Sequence, residues 1–335
     1  MGVSDIHLLP LNAESYCIYF RVNGKLTQFE IKKIEWGKRL ISYFKFLANM
    51  DVGEKRKPQS GAAHLMVDDH AIELRFSTIT NVLLLESLVI RVIRQQAKNQ
   101  PTIRTYFPED ILLLTSLIRR KSGLILFSGP VGSGKTTTIY QLLRARMAEE
   151  TLQIITMEDP VEIYEEKFLQ TEVNEMAGIS YDVLIKSSLR HHPDVLMIGE
   201  IRDEETARMS IRGALTGHLM IATIHAKDAL GVIARLQELK VTNEQLKQTL
   251  IGVVSQRLVP RYCYKCKGDC LPDCDWLPLE NKRSAILEIL AGTDLKSALT
   301  AQEQDLNFLT LNQKLRKAWA CGYIDKNSLT QFEIL

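Results

Sequence analysis

The sequence is short of the features that mark several large protein classes. Its 335 residues hold 42 basic and 40 acidic side chains, a formal charge of +2. It therefore lacks the basic excess or stripe with which nucleic-acid binders grip a phosphate backbone. The best apolar runs, "VLLLESLVI" and "ILLLTSLI", fall far below the roughly 20 residues that a membrane-spanning helix needs. The opening "MGVSDIHLLP" has none of the charged, apolar and small-residue regions of a signal peptide. Cysteine is scarce, and four of the six stand between 263 and 274. That argues against a disulfide scaffold and for a reduced, cytosolic chain with one metal-type cluster. Internal repeats and low-complexity segments are absent. One further absence is local: downstream of a phosphate-type loop, the apolar strand Val195-Leu196-Met197-Ile198 runs into Gly199 and Glu200 instead of the aspartate that usually helps hold magnesium.

What is present suggests about two domains. Residues 1–94 read as a smaller α+β domain. "YCIYFRVNGKL" is an alternating strand with an Asn23-Gly24 hairpin signal. "WGKRLISYFKFLAN" sets Leu40, Tyr43, Phe44 and Leu47 on one helical face. "AHLMVDDHAIELRFST" reads as two strands joined at Asp68-Asp69-His70, and "SLVIRVIR" as a further strand. The stretch "QQAKNQPTIRTYFP" is polar and carries two prolines, which makes residues 95–105 the linker. Over 106–227, apolar strands alternate with helices, the mark of an α/β domain whose parallel sheet is covered on both faces. Residues 228–335 read as a mostly helical C-terminal part interrupted by the cysteines.

The segment Gly129-Pro130-Val131-Gly132-Ser133-Gly134-Lys135-Thr136 fits G-x-x-x-x-G-K-[ST], with Thr137 following, a strand before it and a helix after it. Such a loop turns backbone N–H groups toward phosphate at the positive end of a helix. Lys135 would reach the β/γ oxygens, and the Thr136 hydroxyl would ligate Mg²⁺. ATP with Mg²⁺ is the expected ligand.

Ligands in open α/β sheets sit beyond the carboxyl ends of the strands. Two acidic clusters leave strands there: Glu158-Asp159 with Glu162 in "ITMEDPVE", and Glu200 followed by Asp203. Glu200 has the reach to orient or deprotonate a water beside the γ-phosphate, and Glu158 to hold magnesium directly or through water. The competing reading is that these are solvated strand-end carboxylates. In "TGHLMIATIHA", His225 ends a strand on the nucleotide side as a candidate sensor of the γ-phosphate or of Glu200, whereas His218 begins it and suits packing or a subunit contact. Two readings also stand for Cys263, Cys266, Cys270 and Cys274: a Cys₄ zinc site, or unligated thiols in a degenerate site. Cys17 and Cys321 read as packing residues.

Phosphate loop, acidic box, "MIGEIRD" and histidine box, in this order, resemble the secretion-type ATPases of type II secretion and type IV pilus systems. "SDIHLLP", "KPQSGA" and "SQRLVPRYC" extend the resemblance along almost the whole chain. Within the family it is to the assembly ATPases of Gram-positive competence pili, carried by "FKFLANMDVGEKRKPQSGA", the short cysteine patch and "LNQKLRKAWACGYI"; a retraction-type signature is not visible. The resemblance implies a RecA-like motor domain behind a PAS-like N-terminal domain, with Glu200 as the catalytic acid aided by Glu158. It implies that Arg75 and Arg91 are arginine fingers, which two strand arginines paired with surface acids would equally explain. It also implies a homohexamer that hydrolyses ATP to assemble a competence pilus for DNA uptake, closing its N-terminal domain over the nucleotide. The partner would be a polytopic platform protein at the inner face of the cytoplasmic membrane, where the motor would sit peripherally; DNA would be cargo and not a ligand. Departures are His192 and Ser60, each standing where the family has Asp, and a start almost at "SDIH", so that a preceding helix is missing or belongs to a longer native start. The alternatives are a nucleotide-gated scaffold with little hydrolysis, a type II secretion or retraction motor, and a nucleic-acid translocase.

Overall fold

A computed structural model of the chain describes residues 3–22, 24–67, 70–94, 103–174, 177–271, 274–278, 281–300 and 306–334. Asn23 of the expected hairpin turn, Asp68 and Asp69, and positions 95–102 of the expected linker lie outside the described residues. The chain divides into two compact units: Met1–Gln100 with Leu271–Cys274, and Pro101–Cys270 with Asp275–Leu335.

In the first unit, β1 (Val3–Pro10), β2 (Ser15–Val22), β3 (Lys25–Lys33), β4 (Gln59–Val67), β5 (His70–Thr80) and β6 (Glu86–Arg94) form one sheet in the order β3-β2-β1-β6-β5-β4. Every pairing is antiparallel. Helix α1 (Ile34–Leu47) packs on it through Ile41, with Leu40, Phe44 and Leu47 alongside. Tyr43 turns away from this face and is exposed, because the row that meets the sheet runs through Gly37, Ile41 and Lys45. The Lys45 ammonium is buried there against Glu86 Oε1 at 2.7 Å and the Glu54 carbonyl at 2.5 Å. A lysine can stay charged so deep only with partners of this kind.

The second unit begins with α2 (Glu109–Ile118), β7 (Gly123–Ser128), α3 (Lys135–Glu149), β8 (Ile154–Glu158) and β9 (Leu169–Glu172). It continues through α4 (Tyr181–Ser188), β10 (Val195–Ile198), α5 (Glu204–Leu215), β11 (Leu219–Ile224), α6 (Ala229–Glu238), α7 (Asn243–Thr249) and β12 (Leu250–Pro260). After a small hairpin of β13 (Tyr262–Cys263) and β14 (Gly268–Asp269) come β15 (Arg283–Ala291), α8 (Gly292–Leu299), α9 (Leu311–Ala320) and α10 (Lys326–Phe332). Seven strands form one sheet in the order β15-β12-β7-β11-β10-β8-β9. All neighbours are parallel except β12 and β15.

The strands are apolar without a break because both sheet faces are covered. On β7, Leu124 and Leu126 enter the core on one face, while Ile125 and Phe127 enter the other. Each such side chain contributes on the order of 2 kcal/mol. The region after residue 228 holds more sheet than expected. β12 and β15 pair over nine positions, from Gly252–Ala291 to Pro260–Arg283, and their runs "IGVVSQRLVP" and "RSAILEILA" are rich in the branched side chains that suit a buried strand. Mid-strand on β15, the buried Glu288 accepts from the Ala229 amide at 2.6 Å and the Leu311 amide at 2.5 Å, the first residues of α6 and α9. Among the described residues no helix is long and apolar enough to cross a membrane.

Candidate functional site

The phosphate loop leaves the carboxyl end of β7. Gly129 has φ 140°, and a Cβ there would come within 2.4 Å of the Gln256 carbonyl on β12, so a side chain has no room. Gln256 also donates from Nε2 to the Ser133 carbonyl at 2.7 Å, tying the loop to the neighbouring strand. The chain enters α3 through Gly134, left-handed and without a side-chain cap. The first-turn amides and the positive helix end then face an anion, with Thr136 and Thr137 in that turn. Ser133 Oγ is buried with no partner among the described residues, a hydroxyl suited to phosphate oxygens. Pro130 and Val131 form the exposed lip of the loop. Lys135 Nζ lies back on the loop, donating to the Gly129 carbonyl at 2.8 Å and the Pro130 carbonyl at 3.1 Å. Burial holds its pKa below the ordinary lysine value; Glu200 and Glu162 act in the opposite sense, so both carboxylates lie within its field.

The two acidic clusters end neighbouring strands, β8 and β10, but differ in state. Gly199 brings them together: a Cβ there would meet the Tyr181 hydroxyl at 2.9 Å, the Met157 carbonyl at 3.1 Å and Glu158 Cα at 3.2 Å. Glu200 is 18 % exposed at its side chain. Its Oε2 accepts from Arg202 Nε at 2.7 Å, and its Oε1 lies 3.1 Å from His225 Nε2. Arg202 also reaches Asp159 Oδ2 with Nη1 at 3.1 Å, so one guanidinium bridges the acids of both strand ends. Glu158 is 3 % exposed. Its Oε1 accepts from Tyr140 OH at 2.5 Å and Thr156 Oγ1 at 2.8 Å, and Gln170 Nε2 donates to Tyr140 at 2.8 Å. Burial pushes the Glu158 carboxyl up; the two hydroxyl bonds and the Glu162 amide oppose this in part.

Glu158, expected to reach magnesium directly or through water, thus lies buried beneath Tyr140 of α3, with Oε1 taken up by two hydroxyls of the protein. Asp203, expected among the candidate acids, caps α5, accepting from the Thr206 amide at 2.8 Å and the Thr206 hydroxyl at 3.0 Å. His218 contacts Thr216 Oγ1 at 3.2 Å and stands at the opposite end of β11 from His225.

Arg75 and Arg91 lie opposite each other in the β5–β6 register. Arg75 Nε donates to Glu73 at 2.9 Å and Arg91 Nε to Asp5 at 3.1 Å, each to an acid of its own unit. Cys263, Cys266, Cys270 and Cys274 converge with all four sulfurs within 4.8 Å of one another. Tetrahedral zinc with Zn–S of about 2.3 Å places sulfurs roughly 3.8 Å apart, so the group fits such an ion. Burial raises the Cys263 thiol, and hydrogen bonds from the Cys266 amide and the neighbouring thiols outweigh it, bringing the pKa down to about 7.

Sequence reasoning missed Arg202, Tyr140 and Gln256. Arg202 stood within "MIGEIRD", two residues from Glu200. Tyr140 and Gln256 carried no local signal, because their partners are strands away.

A parallel sheet with a phosphate loop at the end of β7 and a rim of carboxylates beside it defines a P-loop ATPase of RecA-like architecture. The family model of the type II/IV secretion system proteins matches residues 1–325. The chain is 44 % identical over 327 residues to the competence protein ComGA of Halalkalibacterium halodurans, covering 97 % of this chain and 92 % of that protein. It is 39 % identical over 330 residues to ComGA of Bacillus subtilis, with the same coverage of 97 % and 92 %. In fold it is similar to the ATPase DotB of Legionella pneumophila, with a TM-score of 0.74 at 17 % identity over 98 % of this chain and 91 % of that one. The chain belongs to the type II/IV secretion system protein family.

Proposed function

We propose that the chain is the ATP-hydrolysing motor that assembles a competence, type IV-like pilus for DNA uptake. The observation that carries this is Glu200, half-open at the rim beside the phosphate loop and held through both oxygens by Arg202 and His225. The ComGA relatives supply the system in which such a motor works.

Hydrolysis here asks for positioning and charge neutralisation more than covalent chemistry. The loop of residues 129–137, through its backbone N–H groups, and Lys135 grip the triphosphate. Glu200 aligns the attacking water and takes its proton, and Arg202 fixes which way Glu200 faces. His225 carries the state of the γ-phosphate from Glu200 into β11. Thr136 would hold Mg²⁺, which neutralises phosphate charge, while Glu158, fixed by Tyr140, would act on the ion through water. Arg75 and Arg91 act as arginine fingers once the first unit closes over ATP, an effect worth on the order of 10³ in rate. Zinc on the four cysteines would stiffen their loop. The assembly is a homohexamer, peripheral at the inner membrane face, bound to a polytopic platform protein and without direct nucleic-acid contact.

The test is phosphate release with size measured with and without ATP. Lys135→Ala should abolish turnover, and ATP should favour a six-subunit species. Pilus assembly unaffected by Lys135→Ala would instead indicate a scaffold that barely hydrolyses.

A further inference from the structure

One surface of the first unit is built against the usual rule for a hairpin tip. The turn between β5 and β6 is held by Asn81, whose amide donates to the Leu85 carbonyl at 2.9 Å and whose Oδ1 accepts from the Leu83 amide at 2.9 Å and the Leu85 amide at 3.0 Å. So ordered a turn would ordinarily carry polar residues. This one carries three aliphatic residues in a row, with Val82 97 %, Leu83 57 % and Leu84 63 % exposed. Leu84 has φ 58°, a left-handed conformation suited to glycine or asparagine and unfavourable for leucine. Neither folding nor turn geometry accounts for these side chains.

A basic loop stands at the foot of this tip. Thr80, the last residue of β5, donates its hydroxyl to the Lys55 carbonyl. Lys55, Arg56 and Lys57 are exposed, and among the described residues none of them makes an ion pair. The acids of the same loop stay at the surface and bond its backbone. Asp51 Oδ1 accepts from the Gly53 amide at 2.8 Å and the Glu54 amide at 3.1 Å, and Glu54 Oε1 from the Arg56 amide at 2.7 Å and the Lys57 amide at 3.3 Å. Those amide bonds fix where the two carboxylates point, and the three cations of residues 55–57 outnumber the two acids, Asp51 and Glu54, at this surface.

An aliphatic point with a collar of cations matches one kind of surface, an anionic lipid bilayer. Acyl chains receive the point, and headgroup phosphates meet the collar. Reversible attachment takes two weak signals of this sort together. A flat or concave apolar face would suit a second protein copy better than a convex tip does. We infer that the 81–85 hairpin with the 54–57 loop is a docking site for anionic phospholipid. The inference gives a contact surface to the peripheral location proposed above and rests on that location, but not on the catalytic assignment.

The test is co-sedimentation of the full chain with phosphatidylglycerol/phosphatidylcholine vesicles and with phosphatidylcholine alone. The chain should sediment with the anionic vesicles and not with the neutral ones. Val82→Ser/Leu83→Ser/Leu84→Asn should lower the partition coefficient about tenfold or more, with an unchanged or raised melting temperature because asparagine accepts the left-handed backbone. Replacing Lys55, Arg56 and Lys57 by Gln should cost about fivefold per residue and remove the salt dependence. Phosphate release without vesicles should be the same in both variants as in the parent. Failure of the parent to bind anionic vesicles, or binding indifferent to both variants, overturns the inference. A tip variant that changes oligomer size in lipid-free solution overturns it in favour of a subunit contact. Loss of turnover in Lys135→Ala is read separately, so the two proposals fail independently.

Discussion

Glu158 and Glu200 begin as equivalents: each is the first acid at the end of an apolar parallel strand, and those strands are neighbours. Helix α3 passes over β8 and lowers Tyr140 onto Glu158, whereas β10 ends at a rim where Arg202 and His225 reach Glu200. One carboxylate becomes part of the interior and the other stays at the edge of the site. The contrast shows that what lies above a strand end, as well as its position, sets what an acid there can do.

The sharpest way to break this comparison is to neutralise each acid in turn. Glu200→Gln should slow phosphate release about 10³-fold, in the range of a lost general base, while leaving nucleotide binding and melting temperature close to those of the parent. Normal turnover in that variant would remove Glu200 from the mechanism. Glu158→Ala should show the reverse balance. With Tyr140 and Thr156 deprived of their acceptor, chemical denaturation should report a loss of about 3 kcal/mol. A stable Glu158→Ala protein without activity would return that residue to the catalytic centre.

A smaller effect is expected at the guanidinium that bridges the clusters. Arg202→Ala should cut kcat about tenfold with little change in KM, since the residue orients Glu200 without holding substrate. Arg202→Lys should restore little, because an ammonium cannot bridge two carboxylates as a planar fork does. A change in KM alone would make Arg202 a nucleotide contact.

The smallest effect is in pH dependence. Burial gives Glu158 a higher pKa folded than unfolded. The folded chain therefore holds that proton more tightly, and the stability this adds at acid pH is lost as pH rises through the raised value. Glu158→Gln should flatten that part of the stability profile in thermal melts across the weakly acidic range. An unchanged slope would mean that the burial carries no titration.

The phosphate loop was legible because its chemistry is written in consecutive residues, and the strands around it because they are apolar without interruption. The C-terminal strands were harder. Ser255, Gln256, Arg257 and Glu288 place buried polar groups inside β12 and β15, and these interrupt the apolar pattern that identifies a covered strand. Pairing with β7 and with each other makes them strands, and their buried polar groups are bonded by the phosphate loop and by helix starts far away in sequence. The same holds for Tyr140, whose hydroxyl reads as an ordinary helix residue until β8 is placed beneath it. The arginine pair could be aligned across β5 and β6 only once the strand register was known.

The single carboxylate of Glu288 that receives the leading amides of α6 and α9 binds two helices to a common fate. Neither helix can fray from its beginning without disturbing the oxygen pair on which the other depends. Amide deuteration should accordingly find the starts of these two segments, far apart along the chain, exchanging as one cooperative block.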